Sequence, residues 1–302
     1  MKTTLALRQL LDEQKTIVIP GCYDALTAKI VEKVGFEAAY LSGFATSGTL
    51  LGKPDFNLTT LTELSTTASH ITSAVNIPVI ADGEAGFGGP LNVARLVQEY
   101  EKVGLAGLHI EDQETPKKGG ILAGRALVSA EEMVGKIKAA LDAREDEDFL
   151  IIARTDSIDI SFEEAVRRGN LYAKAGADLI FPISRSLKQL KEYPKRIDAP
   201  LVAIVNEGMP RDFTYLPVEE FERLGYKMIW FIMSEMWVAV KAIWDLWTEV
   251  KRTGTSKAFK DRIADAKDFL KLIDSEQYRQ FELKYLSEEQ KKKRYGKEQW
   301  GH

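Results

Sequence analysis

Short, almost continuously apolar segments alternate with longer amphipathic segments along most of the chain. The apolar segments are 16–20, 38–42, 79–82, 107–111, 150–155, 178–181, 201–205 and 228–231. Such segments are typical of parallel strands that are buried on both faces, with the amphipathic segments forming helices that cover them. About eight repeats of this unit predict a closed α/β fold, a (β/α)8 TIM barrel, in preference to an open doubly wound sheet.

Helices are predicted between the strands and after the last strand. The expected helical segments are 5–11, 24–34, 58–75, 91–103, a helix that starts at Ser129, 162–175, one that reaches Lys251, and 258–273. Loops are expected over 43–57 and 112–125, and the chain ends in a charged tail. We therefore expect a single domain, with the barrel over 1–253 and a C-terminal helical extension over 254–302. Trp237, Trp244 and Trp247 fit one helix face, which favours core or subunit packing over ligand binding.

Composition and charge narrow the classes of function. The 302 residues are 45% hydrophobic and 28% charged, with a net charge of −4, which gives no general attraction to nucleic acid or to an anionic membrane. The N-terminus is amphipathic and unlike a signal peptide, so a cytoplasmic location is expected. The single cysteine, Cys22, excludes an internal disulfide and a cysteine-built zinc site, and a buried apolar role is expected for it. A small-molecule function is favoured.

The segment Asp82-Gly83-Glu84-Ala85-Gly86-Phe87-Gly88 follows the third strand. Asp82 and Glu84 share parity, so both carboxylates are expected at the barrel mouth, although a solvated acidic loop is the alternative. Parity groups three further pairs at the same rim: Tyr40 with Ser42, His109 with Glu111, and Arg154 with Asp156. An oxygen-rich set without a second histidine or a thiolate indicates Mg²⁺, or alternatively Mn²⁺.

These residues and their neighbours resemble the isocitrate lyase/phosphoenolpyruvate mutase superfamily over nearly the whole chain. The resemblance is greatest to the methylisocitrate lyase and carboxyphosphonoenolpyruvate mutase branch. The matching segments are 23–26, 40–43, 52–55, 82–88, 109–113, 116–118 and 152–156.

The resemblance implies a role for each matching residue. The metal would be held by Asp82, with Glu84 and Glu111 acting directly or through water. Asp55 would lie nearby, and Ser42, Gly43 and Arg154 would bind the substrate carboxylate. The further substrate-binding candidates are Phe44, Asp55, His109, Ile183, Ile204 and Trp237. The family usually has Asp where this chain has Glu84. A dimer or tetramer with C-terminal helices swapped between subunits is also implied.

The chain departs from the family in the other half of the site. Lyases of the family carry a K-[KR]-C-G-H loop, whose cysteine acts as the acid, where this chain has 117–121, Lys-Lys-Gly-Gly-Ile. Ile183 replaces a glutamate, Ile204 replaces an asparagine, and Trp237 lies near the position of an arginine, while Glu207 is retained. Since tryptophan cannot form the bidentate bonds of arginine, we expect a substrate tail that is less charged and more apolar than that of methylisocitrate.

The expected function is that of an enzyme, a Mg-dependent lyase that cleaves a C–C bond in a 2-hydroxy or 2-oxo acid through a metal-stabilised enolate. The proton donor is left open among Lys117, Tyr40, Glu207 and water, with Arg154 as a further catalytic candidate. Phosphorus–carbon chemistry of the mutase type is one alternative, and a non-catalytic homologue that binds metal or ligand is another. The expected partners are a small carboxylate substrate and further copies of this chain.

Overall fold

A computed structural model describes residues 1–13, 15–120, 122 and 124–296. It contains eight parallel strands, in the spatial order β6-β5-β4-β3-β2-β1-β8-β7. The strands are β1 Ile17–Cys22, β2 Ala39–Leu41, β3 Val79–Asp82, β4 Gly107–Glu111, β5 Leu150–Thr155, β6 Leu179–Pro182, β7 Val202–Val205 and β8 Met228–Phe231. A parallel bridge between Ile180 and Leu201 joins the two ends of this order. The sheet is therefore a nearly closed (β/α)8 barrel, and the predicted fold is confirmed.

Helices follow the strands around the barrel. They are α1 Thr3–Asp12, α2 Ala25–Val34, α3 Gly43–Thr46, α4 Leu61–Ala74, α5 Pro90–Lys102, α6 Ala130–Ala143, α7 Phe162–Lys174, α8 Leu187–Arg196, α9 Val218–Leu224, α10 Ser234–Thr253, α11 Ala266–Leu272, α12 Ser275–Leu283 and α13 Glu288–Tyr295. Several of these helices begin at a residue whose side chain accepts a hydrogen bond from a backbone N–H of the first turn. These residues are Asp24, Thr60, Ser129 and Ser161. Each such cap satisfies a backbone donor that the helix leaves unpaired.

The core has two layers. Inside the barrel, a cluster that includes Ile19, Ile80, Ile152 and Trp230 fills the space between the strands. A larger cluster packs the outer strand faces against α2 and α4–α9. Because each fully buried side chain of this size contributes roughly 1.5–3 kcal/mol, the barrel wall holds the strand ends in fixed positions.

Several helices differ from the sequence expectation. The loop expected over 43–57 contains α3 and a π-helical turn, Ser47–Leu51, because Ser42 caps the backbone N–H of Ala45 at 3.2 Å. Helices α8 and α9 were not predicted. The helix expected over 258–273 is broken into a 3-10 helix, Lys257–Arg262, and α11, and the side chain of Asp265 caps the second piece.

The chain divides into two compact units, 1–243 and 244–302. The first contains all eight strands, and the second contains α11–α13. The expected single-domain organisation and the exchange of helices between subunits stay predictions. Within the described residues, no helix is both long enough and apolar enough to cross a bilayer.

Candidate active site

A cavity of about 90 Å³ opens at the carboxyl ends of the strands. This is the end of the barrel where enzymes of this fold carry their active sites. Polar side chains line one side: Tyr40, Ser42, Asp55, Asp82, Lys117 and Arg154. Apolar side chains, including Phe181, Ile183, Ile204 and Met233, line much of the rest.

Asp82 and Glu84 converge next to Gly43. Asp82 ends β3, and its carboxylate accepts bonds from the N–H of Gly43 at 3.2 Å and of Glu84 at 2.8 Å. A Cβ at position 43 would lie 2.7 Å from Asp82 Oδ2 and 2.5 Å from Glu84 Oε1, so only glycine fits between them. Glu84 lies beyond the end of β3, and its backbone is left-handed, with φ +56°. This backbone conformation, and not the alternation of side chains along a strand, sets the position of its carboxylate.

Burial would raise the pKa of Asp82, but His109, Lys117, Arg154 and the Gly43 N–H together lower it below the usual range. His109 Nε2 lies 3.4 Å from Asp82 Oδ1, and His109 Nδ1 lies 3.2 Å from the Tyr40 hydroxyl. Burial lowers the pKa of His109 to about 4, so the ring is neutral and Asp82 carries the charge. His109 itself is fully buried among aromatic rings and does not border the cavity.

Arg154, near the end of β5, is fixed by two carboxylates. Its Nε and Nη2 donate to Asp156 at 2.9 and 3.1 Å, and its Nη1 lies 2.8 Å from Glu111 Oε2. Burial raises the pKa of Glu111 well above its usual range despite this arginine. Burial also opposes ionisation of Asp156, but Arg154 outweighs it and the pKa of Asp156 is lowered. Arg154 has five N–H donors, of which two bind Asp156 and one faces Glu111. Because its side chain lines the cavity, the other two can bind a ligand there.

Lys117 lies on the loop after β4. Its Nζ is 2.7 Å from both Asp55 Oδ2 and Glu84 Oε2, and all three side chains are buried. The N–H of Gly119 also donates to the backbone carbonyl of Asp55 at 2.8 Å. The loop is therefore fastened over the carboxylates. Ile121, the last residue of the altered 117–121 segment, lies outside the described residues.

The buried acids at the barrel mouth are the candidate ligands of a divalent ion. In the described part of the chain, no three His, Cys, Asp or Glu side chains are spaced to ligate a metal together. However, Glu84 Oε2 and both Glu111 oxygens are buried without a well-aligned hydrogen bond, although cations lie close to them.

The balance of charge supports the fit. Five buried acids face three cations: Asp55, Asp82, Glu84, Glu111 and Asp156 against Lys117, Arg125 and Arg154. Because these buried acids outnumber the cations, burial keeps the pKa of Glu111 high, and a divalent cation would supply the positive charge that its ionised form needs. Because Mg²⁺ is held by one or two carboxylates and keeps several waters, these residues fit it. The ligand set Asp82, Glu84 and Glu111 stays a prediction.

The remaining predicted residues fall into two groups. Phe44, Ile183 and Ile204 line the cavity, as Ser42 does. Glu207 and Trp237 do not border it. The carboxylate of Glu207 accepts bonds from Ser234 Oγ at 2.8 and 2.9 Å, and Trp237 Nε1 donates to Asn206 at 3.3 Å. Cys22 is fully buried as the last residue of β1, as expected.

Sequence reasoning missed the residues that the loops after β6 and β7 bring to the cavity. They include Ser184, Asn206, Met209, Arg211, Phe213 and Thr214. The segment Asn206-Glu207-Gly208-Met209-Pro210-Arg211 follows a strand end, which is the one signal that could have indicated it.

A parallel barrel with buried carboxylates and a fixed arginine at its mouth defines a barrel enzyme whose site suits a small carboxylate beside a cation. The sequence profile described as phosphoenolpyruvate phosphomutase matches residues 7–251. The chain belongs to this family, within the isocitrate lyase/phosphoenolpyruvate mutase superfamily.

Relatives of known activity lie close to this chain. It is 42% identical to a 2,3-dimethylmalate lyase from Eubacterium barkeri over 95% of this chain and 99% of that protein. It is also 42% identical to a 2-methylisocitrate lyase from Aeropyrum pernix over 91% and 88% of the two chains. A crystal structure of phosphonopyruvate hydrolase with oxalate and Mg²⁺ matches with a TM-score of 0.84 and 31% identity, covering 95% of this chain and 100% of that one.

These similarities confirm the superfamily and the enzyme class predicted from the sequence, a Mg-dependent carbon–carbon lyase. The substrate is not fixed by them.

Proposed function

We propose that this enzyme cleaves a C–C bond in a 2-hydroxy or 2-oxo acid whose tail carries less charge than that of methylisocitrate. One observation carries the proposal: Asp82, which converges with Glu84, lines the same cavity as Arg154, and apolar side chains line much of the remaining wall. The charged part suits an acid head group and a cation, and the apolar wall suits a hydrocarbon chain.

The head group is assigned to the donors on the polar side. Arg154 is held in one orientation by Asp156 and Glu111, so its two remaining N–H groups need little reorganisation to bind a carboxylate. The hydroxyl of Ser42 also lines the cavity. Mg²⁺ bound by Asp82, with Glu84 and Glu111, would supply fixed positive charge beside the head-group oxygens, which carry the alkoxide of a 2-hydroxy acid before the bond breaks or the enolate of a 2-oxo acid after it breaks.

Lys117 is the proton donor that the geometry favours among the open candidates. It lines the cavity, it lies on the loop that carries the family's cysteine, and its ammonium group has transferable protons. Tyr40 also lines the cavity, but burial raises the pKa of its hydroxyl well above the usual range, so it releases a proton reluctantly. Glu207 does not border the cavity, and its carboxylate accepts bonds from Ser234.

The test is an assay of the purified protein with Mg²⁺ on 2,3-dimethylmalate, 2-methylisocitrate, isocitrate, oxaloacetate and phosphonopyruvate. We expect release of a 2-oxo acid from a dicarboxylate in preference to a tricarboxylate, with loss of activity in EDTA and recovery with Mg²⁺ or Mn²⁺. Asp82→Asn should lower kcat/KM about 1,000-fold because it weakens binding of the Mg²⁺ whose positive charge would stabilise the transition state. Glu131→Gln, an exposed acid on α6, is the matched control and should behave as the wild type.

Two other results would replace the proposal. Preferred turnover of phosphonopyruvate would assign phosphorus–carbon chemistry, which is carried out by a relative with the same fold. Binding of Mg²⁺ and oxalate without turnover of any compound would assign a non-catalytic binding protein. A clear preference for tricarboxylates would contradict the less charged tail.

We also propose that the chain forms a homo-oligomer, a dimer or a tetramer. Helix α10 exposes a row of large apolar side chains, namely Val240, Ile243, Trp244 and Trp247, which recur with helical spacing. Exposed apolar rows of this kind mark interaction surfaces. The swapped C-terminal helices and the cytoplasmic location stay predictions.

A further inference from the structure

Arg211 lies on the loop between β7 and α9 and lines the cavity. Its backbone N–H donates to Thr214 Oγ1 at 2.8 Å, and the N–H of Thr214 donates back to its carbonyl at 3.2 Å. Its Nη1 donates to the carbonyl of Ser184 at 2.8 Å. The guanidinium is thus held at the wall by a closed turn and one main-chain acceptor, with most of its donors unused.

Arg211 differs electrostatically from the other two cations of the cavity. Lys117 and Arg154 are each paired with two carboxylates, whereas no carboxylate of the described residues lies within 4.0 Å of Arg211. Burial is the main cause that lowers the pKa of Arg211, and the positive charges of Arg185 and Arg125 lower it further. The negative charges of Asp159 and Asp212 only partly offset them. An anion placed beside this guanidinium would therefore be attracted by more than one charge.

Asn206 provides a second donor on the same wall. Its Oδ1 accepts from Trp237 Nε1 at 3.3 Å. An indole nitrogen only donates, so this bond fixes the amide orientation and leaves the two Nδ2 protons as donors. Asn206 and Arg211 belong to the same loop after β7, and both line the cavity.

The strand order sets where Asn206 and Arg211 lie relative to Asp82, the predicted metal ligand. Around the eight-stranded barrel, β7 is four strands away from β3, so Arg211 and Asp82 face one another across the mouth. Apolar side chains also line the cavity, among them Phe181, Ile204 and Met209. The cavity is therefore charged on two facing sides and apolar over much of the remaining wall.

We propose that Arg211, assisted by the amide of Asn206, binds a second carboxylate at the far end of the substrate, which is then a dicarboxylic 2-oxo or 2-hydroxy acid with an apolar middle. The inference rests on the proposed function, since the first carboxylate must bind beside the metal ion that Asp82 would hold. One unpaired arginine suits one distal carboxylate, which agrees with a tail less charged than that of a tricarboxylate.

The experiment compares two ligands with the same five-carbon skeleton, 2-oxopentanedioate and 2-oxopentanoate, which differ in the terminal carboxylate. Isothermal titration calorimetry in Mg²⁺ measures both, with oxalate as a probe of the head-group end alone. The wild type should bind the diacid about 10- to 100-fold more tightly than the monoacid, as expected for a charge-assisted pair. Arg211→Met should abolish this preference and leave oxalate binding unchanged, and Arg211→Lys should keep part of it.

Arg185→Met is the matched control. Arg185 pairs with Asp159 and does not line the cavity, so this variant should lose only the small contribution of a nearby charge and keep most of the wild-type preference. If Arg211→Met keeps the preference, or if the wild type binds oxalate but shows none, the role of Arg211 is refuted while the proposed function stands. If the wild type in Mg²⁺ binds neither oxalate nor either 2-oxo acid, the proposed function fails and the inference fails with it.

Discussion

At the scale of single residues, the site depends on backbone that leaves room for buried charge. Gly43 is the clearest case, because its missing side chain allows Asp82 and Glu84 to approach the same point. Its N–H also donates to Asp82, so one residue supplies both the space and part of the stabilisation. A glycine at this position is thus explained by the carboxylates and not by a turn.

Gly43→Ala should therefore damage the site. The new Cβ would lie less than 3 Å from both carboxylates, and relieving such an overlap costs about 1–3 kcal/mol. We expect a lower Tm, weaker Mg²⁺ binding by calorimetry, and a fall in kcat/KM of more than 100-fold. Gly135→Ala in α6 is the control, since nothing lies within 4 Å of the added Cβ and Tm should stay or rise. Wild-type Mg²⁺ affinity in Gly43→Ala would refute this role.

Glu235, in the first turn of α10, should make stability depend on pH. Burial, followed by Glu207 and Asp24, raises its pKa to about 7, and its Oε1 has no hydrogen-bond partner among the described residues. A raised folded-state pKa means that the stabilisation is present below about pH 4.5 and is lost as the pH rises through 7.

Glu235→Gln should therefore match the wild type in free energy of unfolding near pH 4.5 and exceed it by up to roughly 3 kcal/mol at pH 8. Urea unfolding at the two pH values measures this difference. Glu219→Gln, an exposed acid in the first turn of α9, should show no such divergence. A difference that stays constant with pH would show that Glu235 is already ionised in the folded protein.

At the scale of elements, the loop after β4 is held by one buried cation. Lys117→Met would leave Asp55 and Glu84 buried without it, and losing one partner of a buried ion pair costs about 3–5 kcal/mol. We expect a lower free energy of unfolding, faster amide exchange over 113–120 and loss of turnover. Lys118→Met, its neighbour, is the control.

Adding Asp55→Asn to Lys117→Met separates charge from chemistry. The double variant should recover part of the lost stability, because one buried charge is removed, but no activity, because the proposed proton donor is still missing. If the double variant is as unstable as Lys117→Met alone, the unpaired charge is not what destabilises the loop.

The strands were predictable because nearly continuous apolar segments have few alternatives in an α/β chain. Helices α8 and α9 were not, since α8 is strongly polar and contains Pro194, and α9 has only seven residues. The helix predicted over 258–273 is broken because the side chain of Asp265 caps a new helix, α11. This local bond competes with the helical periodicity of the sequence.

The residues of the site also divide into those that the sequence pattern predicts and those that it does not. Asp82, Glu84, Glu111 and Arg154 lie at or just beyond strand ends that the sequence marks clearly. Arg211 and Asn206 lie on a loop without periodicity, and only the closure of the barrel places them across from Asp82. Arg154 also has a role that the pattern does not reveal, because its pairing with Glu111 depends on the register of β4 and β5.

At the scale of the whole molecule, α10 should support an oligomer. We expect a dimer or a tetramer in analytical ultracentrifugation. Changing both Trp244 and Trp247, which are 72% and 62% exposed, to Glu should shift the protein toward monomer. Leu91→Glu, at an isolated side chain that is 88% exposed on α5, should leave the oligomer intact. A wild-type monomer at micromolar concentration would contradict the proposal.

The central claim is that separate strand ends bring oxygens together around a divalent ion that binds the acid head of the substrate. A crystal structure with Mn²⁺ and oxalate, using the anomalous signal of the metal, tests it most directly. We predict one strong peak beside Asp82, within reach of Glu84 and Glu111 directly or through water, with oxalate between the ion and Arg154. No peak at that position, with Lys117 and Arg154 still neutralising the carboxylates, would contradict the account.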